Sequence, residues 1–168
     1  QRVVDAAAPV DILVSNAGGP PPGRFADLSE DQFEAAYDIV LQSAVRLTRG
    51  VLPAMKERKW GRLIYITSLA VKQPENDLLL SNTFRAGLTA FVKTISNTHA
   101  SLGITANTVC PGYTMTERLE ELAEKRATAN GTTKEQVLEA FTSNVPAGRL
   151  GQPDELAALI TFLASERA

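Results

Sequence analysis

Asp11-Ile-Leu-Val-Ser-Asn-Ala-Gly18 decides the fold: a short run of Ile, Leu and Val with no polar alternation, closed by a turn of small residues. A strand that is apolar on both faces belongs in a parallel sheet covered by helices on either side, since an antiparallel strand with one wet face would alternate. Two later runs repeat the pattern, Leu63-Ile-Tyr-Ile-Thr-Ser68 after the turn Trp60-Gly61-Arg62, and Ile104 to Cys110, which Pro111-Gly112 ends abruptly. Strands alternating with long helical segments imply an α/β fold with right-handed crossovers.

The helices announce themselves by their caps. In Leu28-Ser-Glu-Asp-Gln-Phe33, Ser29 and Gln32 form a capping box, and Phe33, Tyr37, Leu41, Ala44, Thr48 and Met55 then recur at helical spacing down to about Arg58. A second helix is expected over about residues 81 to 101, released by Gly103. Amphipathic helices follow over 116 to 129 and 133 to 143, the latter opened by the box Thr133-Lys-Glu-Gln136. Pro153 with Asp154 and Glu155 starts the last helix. Residues 1 to 8 read as the end of a helix, since they carry no start signal and run into Pro9.

Composition narrows the function. At 168 residues and 44% apolar content the chain suits one domain, 1–168, with an ordinary core. Seventeen basic against nineteen acidic side chains, a net charge of −2 and no basic tract argue against nucleic acid or an anionic membrane as partner. The apolar runs are far too short to span a bilayer and no signal-peptide pattern opens the chain, so a cytoplasmic location and small-molecule work are expected. Cys110 is alone, which excludes an internal disulfide, and a single histidine, His99, gives no metal or triad site. Only three strands are visible, and so small a parallel sheet leaves two apolar edges; strands before and after are expected.

Four segments in order resemble the short-chain dehydrogenase/reductase family, in its branch of 3-oxoacyl-carrier-protein reductases. Asn16-Ala17-Gly18 is similar to the family's NAG motif after its fourth strand, and Gly61 to Ser68 to its fifth strand with the catalytic serine. Pro111-Gly-Tyr-Thr-Met-Thr116 resembles the PGxxxT loop, and Pro146 to Pro153 followed by Glu155 a further loop of that branch. The resemblance implies a Rossmann-like doubly wound parallel sheet, here its fourth to sixth strands with flanking helices. The glycine-rich cofactor turn and the last strand of the family are expected to lie outside this sequence. It further implies NAD or NADP as cofactor, a carbonyl or alcohol substrate, and a homodimer or homotetramer built on the two long helices.

The family's Asn-Ser-Tyr-Lys set carries over only in part. Ser68 keeps the serine, but the tyrosine position is Ser81, the lysine position Arg85 and the asparagine position Val40. No residue from Ile66 to Gly112 is a tyrosine, so no shift of alignment restores one. In the parent mechanism the tyrosine passes a proton to or from the substrate oxygen while hydride moves at the nicotinamide. A serine hydroxyl is a far weaker acid than a phenol, whose reference pKa is about 10, so Ser81 cannot simply inherit that role. Arg85 retains a positive charge and donors suited to ribose hydroxyls, and its four-residue offset puts it on the helix face of Ser81. By the resemblance, Asn16, Ala17, Gly18, Arg85, Pro111, Gly112, Thr114 and Thr116 bind cofactor, and Tyr113 lines the substrate pocket. Tyr65 and Tyr37 read as packing residues, and Arg24, Arg46 and Arg49 as surface charges. Two other readings stay open: a binding or scaffold protein that has kept the fold but lost catalysis, and a non-redox relative such as the haloalcohol dehalogenases.

Overall fold

The computed structural model describes residues 9–168, so the helix end expected at 1–8 lies outside the described residues. Three parallel strands form one sheet in the order β1 (Ile12–Ser15), β2 (Gly61–Ile66), β3 (Ile104–Val109). Leu13 lies opposite Leu63, and Ile64 opposite Asn107. Every residue of β2 is buried, as the centre of a doubly covered sheet requires, and Arg62 within it spends its guanidinium on the carbonyls of Gly61, Gly103 and Ser165. β1 differs: Ile12 and Val14 remain 43% and 44% exposed.

The chain divides into two compact units, one running through Cys110 and including Phe162–Ala168, the other Pro111–Thr161. In the first, α1 (Glu30–Ala36) begins with the predicted capping box, Ser29 Oγ accepting from the Gln32 N–H while Gln32 Oε1 accepts from the Ser29 N–H. The periodicity predicts one helix from there to Arg58. The structure instead passes through a six-residue π-helical segment, Tyr37–Gln42, before α2 (Ser43–Arg58). The wider π turn bonds i to i+5, as from Ser43 N–H to Asp38 O, and adds a residue without breaking the rod, so an apolar stripe conceals it. Lys59 ends α2 in the left-handed region (φ 54°).

After β2 a single 3₁₀ turn, Leu69–Val71, leads to α3 (Leu79–His99), which starts two residues before the predicted position and ends two before it. Val40, Met55, Leu63, Tyr65, Leu88 and Ile104 anchor the core between these helices and the sheet. In the second unit, α4 (Glu117–Asn130) and α5 (Lys134–Ser143) form a hairpin turned by Gly131. Thr116 and the Thr133–Gln136 box cap the two helices, and Leu119, Ala123, Val137, Phe141 and Leu150 form a separate core. α6 (Pro153–Ala164) follows. Among the described residues no helix is long and apolar enough to cross a membrane.

Candidate active site

In a parallel sheet all carboxyl ends lie along one edge, the place where open α/β sheets receive ligands. Here β1 ends into Asn16, which is exposed, followed by Ala17 and Gly18. The loop beyond returns to the start of α3. Gly23 donates to Asp77 O at 2.7 Å, and its carbonyl accepts from Leu79 N–H at 3.4 Å. α3 has no side-chain cap, so this carbonyl satisfies one of the N–H groups that a helix start leaves over. The β1 loop thereby fixes the first turn of α3, on which Ser81 stands.

β2 delivers Thr67 and Ser68. The Thr67 hydroxyl donates to Val109 O at 3.1 Å and contacts Cys110 Sγ at 3.1 Å, joining the ends of β2 and β3. Cys110 is thus a half-buried packing residue with a hydroxyl neighbour. Ser68 is half-buried; its Oγ accepts from Ala70 N–H at 3.1 Å, which leaves the hydroxyl proton to donate elsewhere. One helical turn after Ser81, Arg85 is only 9% exposed, and its Nη1 donates to Ile66 O and Thr67 O, both at 2.9 Å. The sequence suggested an arginine reaching for ribose hydroxyls. The structure shows this nitrogen locking α3 onto the carboxyl end of β2, beside Ser68, with charge-assisted bonds. Val40, at the asparagine position, is buried in the π segment and belongs to the core.

The remaining tyrosines separate by environment. Tyr65 is fully buried with its hydroxyl 2.5 Å from Thr48 Oγ1, and burial raises its pKa to about 12 despite that bond. It is a packing residue. Tyr37 lies on the helix rim rather than in the stripe interior, 42% exposed, donating to Gln42 Oε1 at 3.3 Å. His99 Nδ1 lies 2.7 Å from Thr98 Oγ1 and 3.0 Å from Ile95 O at the end of α3.

In the second unit, Tyr113 stacks on Phe141, ring centroids 4.6 Å apart and planes within 12°, and the Arg126 guanidinium lies 5.2 Å from the Phe141 ring centroid. These three side chains border a cavity of about 320 Å³ between α4 and α5. Sequence reasoning found Tyr113 but not Phe141 or Arg126, whose only signal was a place on a helical stripe. The loop bearing Tyr113 is internally bonded: Thr114 Oγ1 donates to Gly112 O and Thr116 Oγ1 to Thr114 O, each at 3.4 Å, while Thr116 Oγ1 also accepts from Leu119 N–H. Gly151 clasps it from across the unit, donating to Tyr113 O and accepting from Met115 N–H, both at 2.9 Å. Arg149 grips Glu155 with both terminal nitrogens, and Gln152 N–H also donates to that carboxylate at 2.7 Å. The guanidinium bonds first, then the backbone one, bring the Glu155 pKa down to about 2. Among the described residues no group of three or more His, Cys, Asp or Glu side chains could hold a metal.

A parallel α/β sheet with Ser68 and a buried arginine at the end of its central strand defines a chain of the doubly wound class. Residues 1–168 in full match the family described as "Enoyl-(Acyl carrier protein) reductase", and the chain belongs to the short-chain dehydrogenase/reductase family. It is 38% identical to the monensin polyketide synthase ketoacyl reductase of Streptomyces virginiae over 173 residues, covering 100% of this chain and 65% of that protein. It is 32% identical to the acetoacetyl-CoA reductase of Shinella zoogloeoides, covering 95% of this chain and 62% of that one. Among solved structures it superposes on actinorhodin polyketide ketoreductase with NADPH at a TM-score of 0.91 and 32% identity, over 98% of this chain and 64% of the other. The chain therefore spans 62 to 65% of the length of these relatives.

Proposed function

We propose that the protein is an NAD(P)-dependent oxidoreductase that reduces a small ketone, of the 3-oxoacyl type, to the alcohol. The observation that carries this reading is the polar set at the end of β2: Ser68, and the buried Arg85 bonded to the Ile66 and Thr67 carbonyls. The named activities of the relatives, ketoacyl and acetoacetyl-CoA reduction, support the substrate class.

The residues present fit the nicotinamide end of such a cofactor. Asn16 and Gly18 are exposed in the irregular segment after β1, and a Cβ at Gly112 would meet nothing within 4 Å, so the backbone at Gly112 is open to a ligand. Asn16, Ala17 and Gly18 would be the cofactor contacts of the first unit; Pro111, Gly112, Thr114 and Thr116 would be cofactor contacts of the second. When bound, the cofactor supplies the hydride. The chain's own residues manage the oxygen: the Ser68 hydroxyl donates to the substrate carbonyl, and the Arg85 charge favours the oxyanion character that grows there. Ser81 and Ser68 would hold the water that gives up the proton, because the guanidinium stays charged and neither serine has a phenol's acidity. Tyr113 would form part of the substrate wall.

Turnover should accordingly be low. In the full-length protein, Ser81→Tyr combined with Arg85→Lys should raise the rate on a generic ketone about tenfold or more, since a positioned general acid contributes roughly 10²–10⁴-fold. Steady-state rates with NADH and NADPH measure it. A wild type already at the family's usual rate, with a slower double variant, would mean that the serine pair is a working relay of its own; nucleotide binding without turnover would mean a binding protein.

A further inference from the structure

The pairing of Arg149 with Glu155 has no part in the chemistry above, yet it is the best-defined ion pair of the second unit. Two guanidinium nitrogens meet two carboxylate oxygens, and the same carboxylate takes the Gln152 N–H. Arg149 Nη1 also donates to Leu150 O at 3.2 Å. Residues 149 to 152 are therefore held as one rigid turn at the start of α6, with Leu150 buried in the unit's core as its anchor. Gly151 in that turn bonds outward with both its backbone groups, to the loop of Tyr113 and Met115.

We propose that Arg149 and Glu155 are positioning residues: acting through Gly151, they set the placement of loop 111–116 and hence the affinity for the nicotinamide cofactor. This rests on the proposed function, which gives Thr114 and Thr116 their cofactor contacts. The chain of bonds is short. Carboxylate and guanidinium fix the turn, the turn presents Gly151, and Gly151 fixes the main chain at Tyr113 and Met115. From there the Thr116 hydroxyl, donating to Thr114 O and accepting from Leu119 N–H, carries the order into the α4 cap. With the carboxyl held down to about 2, the pair stays charged throughout the pH range in which a reductase would work. A bidentate fork is the geometry in which a surface pair holds position, and lysine, a point charge on a flexible stem, cannot replace it. The aromatic stack adds a second consequence, since a loosened loop would shift Tyr113 against Phe141.

The test uses the full-length protein and the variants Glu155→Gln and Arg149→Lys, with Glu121→Gln as a control that breaks another exposed pair of the same unit, Arg118–Glu121. Amide hydrogen exchange reads the clasp at the Gly151 and Met115 N–H groups, and reduced-nicotinamide fluorescence reads cofactor affinity. Both clasp variants should exchange faster at these two amides and bind NADH or NADPH roughly two- to fivefold more weakly, the range of a well-oriented surface pair. At saturating cofactor kcat should change less than KM, and the control should match wild type in every readout. Faster exchange with unchanged cofactor affinity would overturn the positioning role, and so would unchanged exchange. A wild type that binds neither nicotinamide overturns the functional reading itself, and that result is seen before any variant is compared.

Discussion

Tyr65 shows what a single side chain can be asked to do when it is buried without a charge partner. Its ring lies in the core and its hydroxyl is shared with Thr48, which also donates to Ala44 O at 2.7 Å. Burial favours the neutral phenol and lifts the pKa from 10.0 to about 12. The sign follows. Below about pH 10 the phenol is neutral folded or unfolded, and its contribution is intact; between the two values the unfolded chain ionises first, so stability falls as pH rises. Tyr65→Phe should cost about 1 kcal/mol at neutral pH by loss of the hydrogen bond, flatten part of the decline between pH 10 and 12, and leave kcat unchanged. Thermal melts at several pH values, with and without the substitution, check it. The contrast with Arg85 is instructive. Both are large polar side chains in the same unit, but the arginine ends on two main-chain carbonyls at a strand terminus and the tyrosine on a threonine inside the core. That difference in surroundings is what separates a site residue from a packing residue, and the identity of neither residue announces it.

Elements in this chain are joined at their ends by backbone as much as by side chains. Gly103 closes the segment after α3 with φ 71°, and a Cβ there would stand 2.2 Å from Lys59 O at the end of α2. Positive φ and a backbone clash act together, and the carbonyl cannot swing away as a flexible side chain would. Gly103→Ala should therefore destabilise by about 2–4 kcal/mol, combining strain and forced displacement, measured by denaturant unfolding with the slope unchanged. The turn residues in the sequence marked this position correctly. They could not mark the π segment, because its signature is an i to i+5 bond pattern rather than a residue type. The capping boxes at Ser29 and Thr133 stand as read, since each is a local arrangement of four residues that needs nothing from the rest of the chain.

At the scale of the molecule, the open side of β1 is the feature with the largest consequence. Ile12 and Val14 are half-exposed on a strand whose outer edge no strand pairs with among the described residues, and such an edge invites another chain. The 168-residue chain expressed by itself should self-associate, and Val14→Lys should reduce that association; a monodisperse monomer by light scattering would contradict the expectation. The sequence alone determined the α/β class, the three parallel strands, the family and the positions of Ser68, Ser81 and Arg85, because these rest on short-range signals: unbroken apolar runs, caps, turn residues and motif spacing. Tertiary structure alone decided where the Arg85 guanidinium is spent, that Gly23 caps α3, that Tyr113 stacks on Phe141, and that Arg149 and Glu155 hold Gly151 against the Tyr113 loop. Each of those is a contact between residues far apart in the chain or a choice among several acceptors, and burial and hydrogen-bond satisfaction select among them only once the chain has folded.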